Sequence, residues 1–207
     1  MGSDTDVIRD ALIRQWETID RALPTIDFDR PSRIAGWRNR EVIAHLSLQP
    51  VLLTRFIARP SSQTPNVSLE SNLAGTRSLA AVIDAAARDA VIDENTFGQN
   101  LHVAFPVLAA ADLAVTVTAL QGPIRLADYV VTRCVEAVVH GCDLIQPVEP
   151  DETALAITAE ALLSVLVAAH PELLTLARAL PVRTWVDAAT GRHAPPPGLE
   201  AALPVMT

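Results

Sequence analysis

A chain of 207 residues with a net charge of −8 and a pI near 5.0 is long enough for one domain with a sizeable core, and its acidity argues against a nucleic-acid binder, which needs clustered basic residues to neutralise phosphates. All sixteen basic residues are arginines, and they are scattered, so no basic patch forms. Half of the residues are hydrophobic but only 4% are aromatic, so the core must come from Ala, Val, Leu and Ile, a mixture that favours closely packed helices.

The opening MGSDTDVIRD has neither a basic n-region nor an apolar h-region, and the apolar runs downstream are interrupted by charge before they reach membrane-spanning length. A cytoplasmic chain with no membrane role is expected. Residues 5–23 carry Val7, Ile8, Leu12, Ile13, Trp16, Ile19 and Leu23 at spacings of three and four, the mark of an amphipathic helix. LPTIDFDRPSRIAGW follows as a loop, with Trp37 anchoring its end against the core. A second helix is predicted over 38–58, its core face reading Val42, His45, Leu46, Gln49, Leu53 and Phe56, with Pro50 inside it.

RPSSQTPNVSLESN reads as a polar linker, and a third, Ala-rich helix is predicted over 73–90 with Leu79, Val82 and Ile83 facing inward. The NVS at 66–68 matches a glycosylation pattern that has no meaning in a cytoplasmic chain. Within 91–121 the pattern predicts helix before Asp112 and extended chain after it, where AVTVTA alternates. Gly122-Pro123 is read as opening a fourth long helix over 124–145. A fifth is predicted from about 150 to 170, with a short further turn from Pro171 through Leu180. In the tail VRTWV is strand-like, ATGR is a turn, and the last fifteen residues are expected to be extended. The whole reads as an antiparallel bundle of four or five helices with a small appendage.

On the fourth helix Tyr129, Arg133, Glu136, His140 and Asp143 follow at spacings of four, three, four and three, and therefore share one face. Glu136 and His140 stand one turn apart, so a carboxylate oxygen and an imidazole nitrogen can converge on one ion. The plain alternative is the solvated face of an amphipathic helix. His45 weighs against it, because it lies between Val42 and Leu46 on an apolar face where a surface histidine has no place. Arg133 is read either as orienting Glu136 or receiving an anionic substrate group, or as a surface ion pair. Asp143 is read as accepting the second imidazole proton of His140, or as capping the helix end. Cys134 and Cys142 are eight residues apart, about 12 Å at helical rise and beyond disulfide reach, so they are expected to be free, small core residues. His102, His170 and His193 have no partner spacing and receive no role.

GWRNREVIAHL and RCVEAVVHGCDL resemble the paired signatures of the mycothiol-dependent maleylpyruvate isomerases, within the wider DinB-like superfamily of four-helix-bundle metalloproteins. The similarity spans roughly residues 5–170. It implies an all-α, DinB-like metal-binding bundle over 1–180 and a short extension over 181–207, with room for a small strand pair in that appendage. It also implies a divalent ion, zinc first and nickel as the other choice, held by His45, Glu136 and His140. Arg133 and Asp143 would then support the ligands or orient substrate. The implied function is S-transfer or isomerisation of a small electrophile by a metal-bound thiolate of mycothiol or a similar thiol. The alternative is a non-catalytic helical binding or stress-response protein that keeps the metal site. Small molecules are the expected partners, with a homodimer as an allowed assembly. The chain departs from the characterised isomerases in one respect: only about thirty residues follow the last helix where they carry a substantial second domain, so no residue of that domain carries over.

Overall fold

The computed structural model describes residues 4–206. Its centre is one helix, α6 (Leu126–Asp143), in which 15 of 18 residues are buried, so it has no solvated face. Valine-rich helices have only modest intrinsic propensity, and this one forms because neighbours cover it on every side. Against one flank pack α1 (Asp4–Ala22), α2 (Asn39–Ile57) and, behind α2, α5 (Thr96–Ala110). Leu12, Trp16 and Ile19 of α1 meet Val42, Leu46 and Leu53 of α2 and Val130 and Cys134 of α6 in a continuous apolar cluster. The opposite flank, Val131, Val135 and Val139, packs on α7 (Glu152–Ala169) through Leu162 and Leu166. The helix α7 has the length and apolar composition of a membrane span, but its apolar length is used as a core wall between α6 and the tail.

The first two predicted helices and the fifth lie where the periodicity puts them. Between α2 and α6 the chain differs from the sequence reading. The segment taken as a linker contains β1 (Pro60–Ser61) and the start of α3 (Leu69–Ala74), whose first turn is capped by Ser68 accepting from the Ser71 amide. The single helix predicted over 73–90 is broken into α3, a 3-10 turn over Gly75–Leu79 and α4 (Ala80–Asp89). The break falls at Gly75, the C-cap of α3, where a Cβ would stand 2.5 Å from Gln121 Oε1, so glycine there lets the hairpin tip approach. Val82, expected inside, is 63% exposed.

The helix predicted to open at Gly122-Pro123 instead begins at Leu126, because residues 122–125 form β3 (Gly122–Arg125) of a hairpin with β2 (Thr116–Ala119). The sheet order is β1-β2-β3, so both strand prolines, Pro60 and Pro123, sit on edges, where a missing N–H breaks no interior ladder.

The appendage carries no strand pair among the described residues. VRTWV is the first part of α9 (Val182–Ala189), preceded by the 3-10 turn Pro171–Leu173 and α8 (Leu174–Arg178). Five residues satisfy both periods; the full segment places Trp185, Val186 and Ala189 on one face against α7. Trp185 is 2% exposed, and its indole N–H donates to the Ala159 carbonyl at 3.0 Å. The last residues fold back over this layer, burying Leu199, Leu203 and Met206. Trp185→Ala is therefore expected to lower the unfolding free energy by about 3–5 kcal/mol, whereas Val182→Ala on the exposed side of the same helix should change it by about 0.5 kcal/mol or less. Denaturant unfolding followed by circular dichroism measures both, and equal effects would show that the tail is not part of the core.

Candidate metal centre

Helix α2 is fixed at its start by a capping box, with the Arg38 amide donating to Glu41, and by Asn39, which is fully buried. The Asn39 side chain accepts from the Ile145 amide at 3.0 Å and donates to the Asp27 carbonyl at 2.9 Å. That ties the first turn of α2 to the chain just beyond the end of α6 and sets His45 opposite Glu136.

His45, Glu136 and His140 present ligand atoms that all lie within 4.8 Å of one another. The stripe read on α6 is no solvated face: Tyr129, Arg133, Glu136 and Asp143 are 4%, 9%, 5% and 0% exposed. Nε2 of His45 lies 2.8 Å from Glu136 Oε2, and Nε2 of His140 lies 3.3 Å from the same oxygen. The two imidazoles meet edge-on with ring centres 4.8 Å apart. His140 turns its Nδ1 to Asp143 Oδ2 at 2.9 Å. Asp143 is in turn gripped by Arg192, with Nε to Oδ1 at 3.1 Å and Nη2 to Oδ2 at 2.7 Å. Of the two roles read for Asp143, partnering the imidazole is the one the geometry shows.

Arg133 Nη1 donates to Gln49 Oε1, and the Gln49 amide nitrogen faces His45 Nε2 at 3.1 Å. The same His45 nitrogen lies 2.8 Å from Glu136 Oε2. A proton on Nε2 is donated to the carboxylate; with the proton on Nδ1 instead, nitrogen and oxygen are two acceptors facing one point, an arrangement that a cation satisfies. Ligand atoms bound tetrahedrally at zinc–nitrogen and zinc–oxygen distances stand about 3.3 Å apart; His140 and Glu136 match that separation at 3.3 Å, His45 and Glu136 are closer at 2.8 Å, and all three ligand atoms fall within 4.8 Å. The donor set of two imidazoles and one carboxylate suits a divalent ion such as zinc, with a coordination position left over.

The electrostatics agree. Burial opposes the charge on Glu136, yet its bonds to both histidines hold its pKa well below the ordinary carboxylate value. Burial lowers His45, keeping it neutral. Burial also opposes charge on His140, but Asp143 and Glu136 outweigh it and raise the pKa to about 9. Asp143 is desolvated as well, and its bonds to His140 and Arg192 bring it far below the usual range.

Arg133 is the residue whose surroundings differ most from the sequence reading. It is buried rather than a surface ion pair, and it does not bond Glu136. Its guanidinium lies over the Tyr129 ring at 4.7 Å and donates to Thr132 and Gln49. Cys134 and Cys142 are buried free thiols whose pKa values burial pushes up to about 12 and about 11. Sequence reasoning gave no role to Gln49 or Arg192. Gln49 had a signal, a polar residue one turn from His45 on the same apolar face; Arg192 had none. Trp37 does anchor its loop: it lies 6.0 Å from the His45 ring and its indole donates to Asp84 of α4 at 2.7 Å. A cavity opens beside the cluster, lined by His45, Glu136 and Arg133 and walled in part by Leu48, Leu79 and Leu120.

The family model for the mycothiol maleylpyruvate isomerase N-terminal domain matches residues 9–145. The fold is similar to a crystal structure of the mycothiol-dependent maleylpyruvate isomerase, with a TM-score of 0.55 at 14% identity over 80% of this chain and 70% of that one. It is also similar to a histidine-to-alanine variant of a mycothiol-dependent maleylpyruvate isomerase, with a TM-score of 0.53 at 17% identity over 80% and 69% of the two chains. No curated protein matches the sequence. The helical architecture is thus that of the isomerase, and the match over residues 9–145 places this chain in the mycothiol maleylpyruvate isomerase N-terminal domain family.

Proposed function

We propose that the protein is a metal-dependent enzyme in which a divalent ion, zinc in the first instance, is held by His45, Glu136 and His140 and acts with a low-molecular-weight thiol of the mycothiol type on a small electrophile. The observation that carries this reading is the convergence of His45 Nε2, the Glu136 carboxylate and His140 Nε2, whose ligand atoms lie within 4.8 Å of one another in a buried site. When bound, the ion supplies a Lewis-acidic open position at which a thiol loses its proton near neutral pH. The chain's own residues do the rest. Gln49, one turn along α2, lies against the His45 ring and links it to Arg133. Asp143 orients His140 and raises its basicity, and Arg192 fixes Asp143. Leu48, Leu79 and Leu120 keep water from one side of the cavity. Family membership supports a mycothiol-type thiol as cosubstrate and transfer or isomerisation as the reaction class, and free buried cysteines fit a reducing cytoplasm.

Elemental analysis of protein purified without a metal-affinity tag should find close to one equivalent of a divalent metal. Less than about a tenth of an equivalent, with no uptake of added zinc, would leave the non-catalytic alternative.

Metal uptake should also release protons in a defined window. With its folded pKa raised to about 9, His140 is protonated in the metal-free protein at pH 7.5, and a ligand must be deprotonated to bind. About one proton per zinc is expected at pH 7.5, falling to none well above pH 9, as read by calorimetry in buffers of different ionisation enthalpy. The same shift contributes stability to the metal-free protein that is fully present below the unfolded pKa of about 6.5 and lost as the pH rises through 9.

Arg192→Met should weaken zinc binding by about tenfold, at the lower end of the range for groups that orient a metal ligand, while Arg192→Lys keeps part of the affinity. Competition with a chromogenic chelator measures it, and unchanged affinity in Arg192→Met would show that Arg192 has no part in holding the site.

In cobalt-substituted protein, mycothiol should produce a sulfur-to-cobalt charge-transfer band that is absent in His45→Ala. If mycothiol, bacillithiol and glutathione all leave the spectrum unchanged, the thiol reading fails even with metal bound.

A further inference from the structure

The cavity beside the cluster is lined by two formally charged side chains, Glu136 and Arg133, and only Glu136 is used by the candidate ligand set. Arg133 is 9% exposed, and among the described residues no carboxylate lies within ion-pair distance of it. Glu136, one turn along α6, turns its Oε2 to the two imidazoles instead. A guanidinium stays charged in a protein, and burying one without a counter-anion is unfavourable by several kcal/mol. Its hydrogen-bonding capacity is also only partly used. Of five N–H donors, Nε and one on Nη2 go to Thr132 Oγ1, both at 3.2 Å, and one on Nη1 goes to Gln49. One N–H on each terminal nitrogen remains for a further acceptor such as a carboxylate. The guanidinium plane is held by the Tyr129 ring at 4.7 Å, so the fork is pre-oriented.

Away from Arg133 and Glu136 the walls carry no formal charge. Leu48 and Leu52 of α2, Leu79 and Val82 at the start of α4, and Leu120 at the hairpin tip form the apolar part, and no second lysine or arginine lines the cavity. Charge count leads to the same conclusion. A divalent ion on Glu136 and two neutral imidazoles leaves one positive charge, which a thiolate cancels, and Asp143 is already balanced by Arg192. Arg133 leaves one more. A single carboxylate closes the balance, and a second would be buried without a partner.

Resting on the function proposed above, we propose that the electrophile is a monocarboxylate with an apolar body, its carboxylate received by Arg133 and its body lying along Leu48, Leu52, Leu79 and Leu120. Arg133 is then a specificity-determining residue, separate from the ligand set.

The test uses hexanoate, hexanamide and adipate as probes, titrated by calorimetry into metal-free and zinc-loaded protein of wild type, Arg133→Gln and Arg133→Lys. In metal-free wild type hexanoate should bind at least tenfold more tightly than hexanamide, and more tightly than adipate. Arg133→Gln should bring hexanoate down to the level of hexanamide, and Arg133→Lys, which keeps the charge but not the fork, should fall between them. Equal affinity for hexanoate and hexanamide overturns the proposal, as does adipate binding more tightly than hexanoate, or hexanoate affinity unchanged in Arg133→Gln. Hexanoate binding that appears only with zinc and survives Arg133→Gln also overturns it, since the ion itself is then the anion site. Should Arg133→Gln fail to fold, the three-probe comparison in wild type still decides. Because these measurements stand in the metal-free protein, loss of zinc binding would remove the metal reading while the Arg133 result is judged on its own.

Discussion

Glu136 is a carboxylate 5% exposed on a helix with no solvent-facing side, and the rest of the site follows from how that charge is compensated. An unpaired buried carboxylate is unfavourable by several kcal/mol, so the residues facing it must be proton donors or cations. Two imidazoles occupy that position. His140, its pKa raised to about 9, supplies a positive charge, and Nε2 of His45 stands 2.8 Å from the same carboxylate oxygen. In the metal-free protein a proton thus does the compensating that a divalent ion would take over, which is the physical reason metal uptake and proton release are coupled. Valine or leucine at these α6 positions would pack the same bundle without the desolvation penalty. The polar stripe is better explained by chemistry than by stability.

The compensation extends outward in two directions, and both end on arginine. Toward the tail it runs His140, Asp143, Arg192, and Arg192 lies just past α9, beyond a turn at Gly191 with a positive φ of 74°. The layer that buries Trp185 and Leu199 against α7 therefore also sets the position of a group two bonds removed from the candidate ion. Toward the cavity it runs His45, Gln49, Arg133. The first chain closes on a carboxylate–guanidinium pair. The second ends on a guanidinium with unused donors at the cavity wall, and that asymmetry distinguishes the two sides of the site.

Much of this was legible in the sequence. Spacings of four, three, four and three fix a common face on any helix, and an imidazole between Val42 and Leu46 is out of place unless something polar faces it. The two observations locate the centre before any coordinates. What was not legible depended on long-range contacts. Arg192 lies 49 residues beyond Asp143, and no local pattern links them. The break between α3 and α4 falls at Gly75, where Gln121 approaches closely, and periodicity along the helix cannot register a neighbour from a hairpin tip. Gly122-Pro123 was read as the opening of a helix from residue 124 because Gly-Pro commonly precedes one; the extended form of residues 122–125 comes from pairing with β2 across an edge that tolerates proline. VRTWV was ambiguous because five residues with a tryptophan fit either period, and only the surface of α7 selects the helix.

Helix α6 also carries both cysteines of the chain, within one turn of the cluster residues, and their state bears on which sulfur can react. Cys134 lies at the α1 interface beside the Ile8 carbonyl, and Cys142 is directed toward the Val148 carbonyl. Burial raises both thiols to about 12 and about 11, so at neutral pH less than about one in a thousand is thiolate. Neither faces the cavity. At a metal centre of the kind proposed, a reactive cysteine within reach would compete with a thiol cosubstrate for the ion. Placing the chain's sulfur on the dry faces of α6 and the imidazole and carboxylate groups toward the cluster separates the two by helix geometry alone, so that neither cysteine would compete for the coordination position that the proposed function assigns to a thiol from solution.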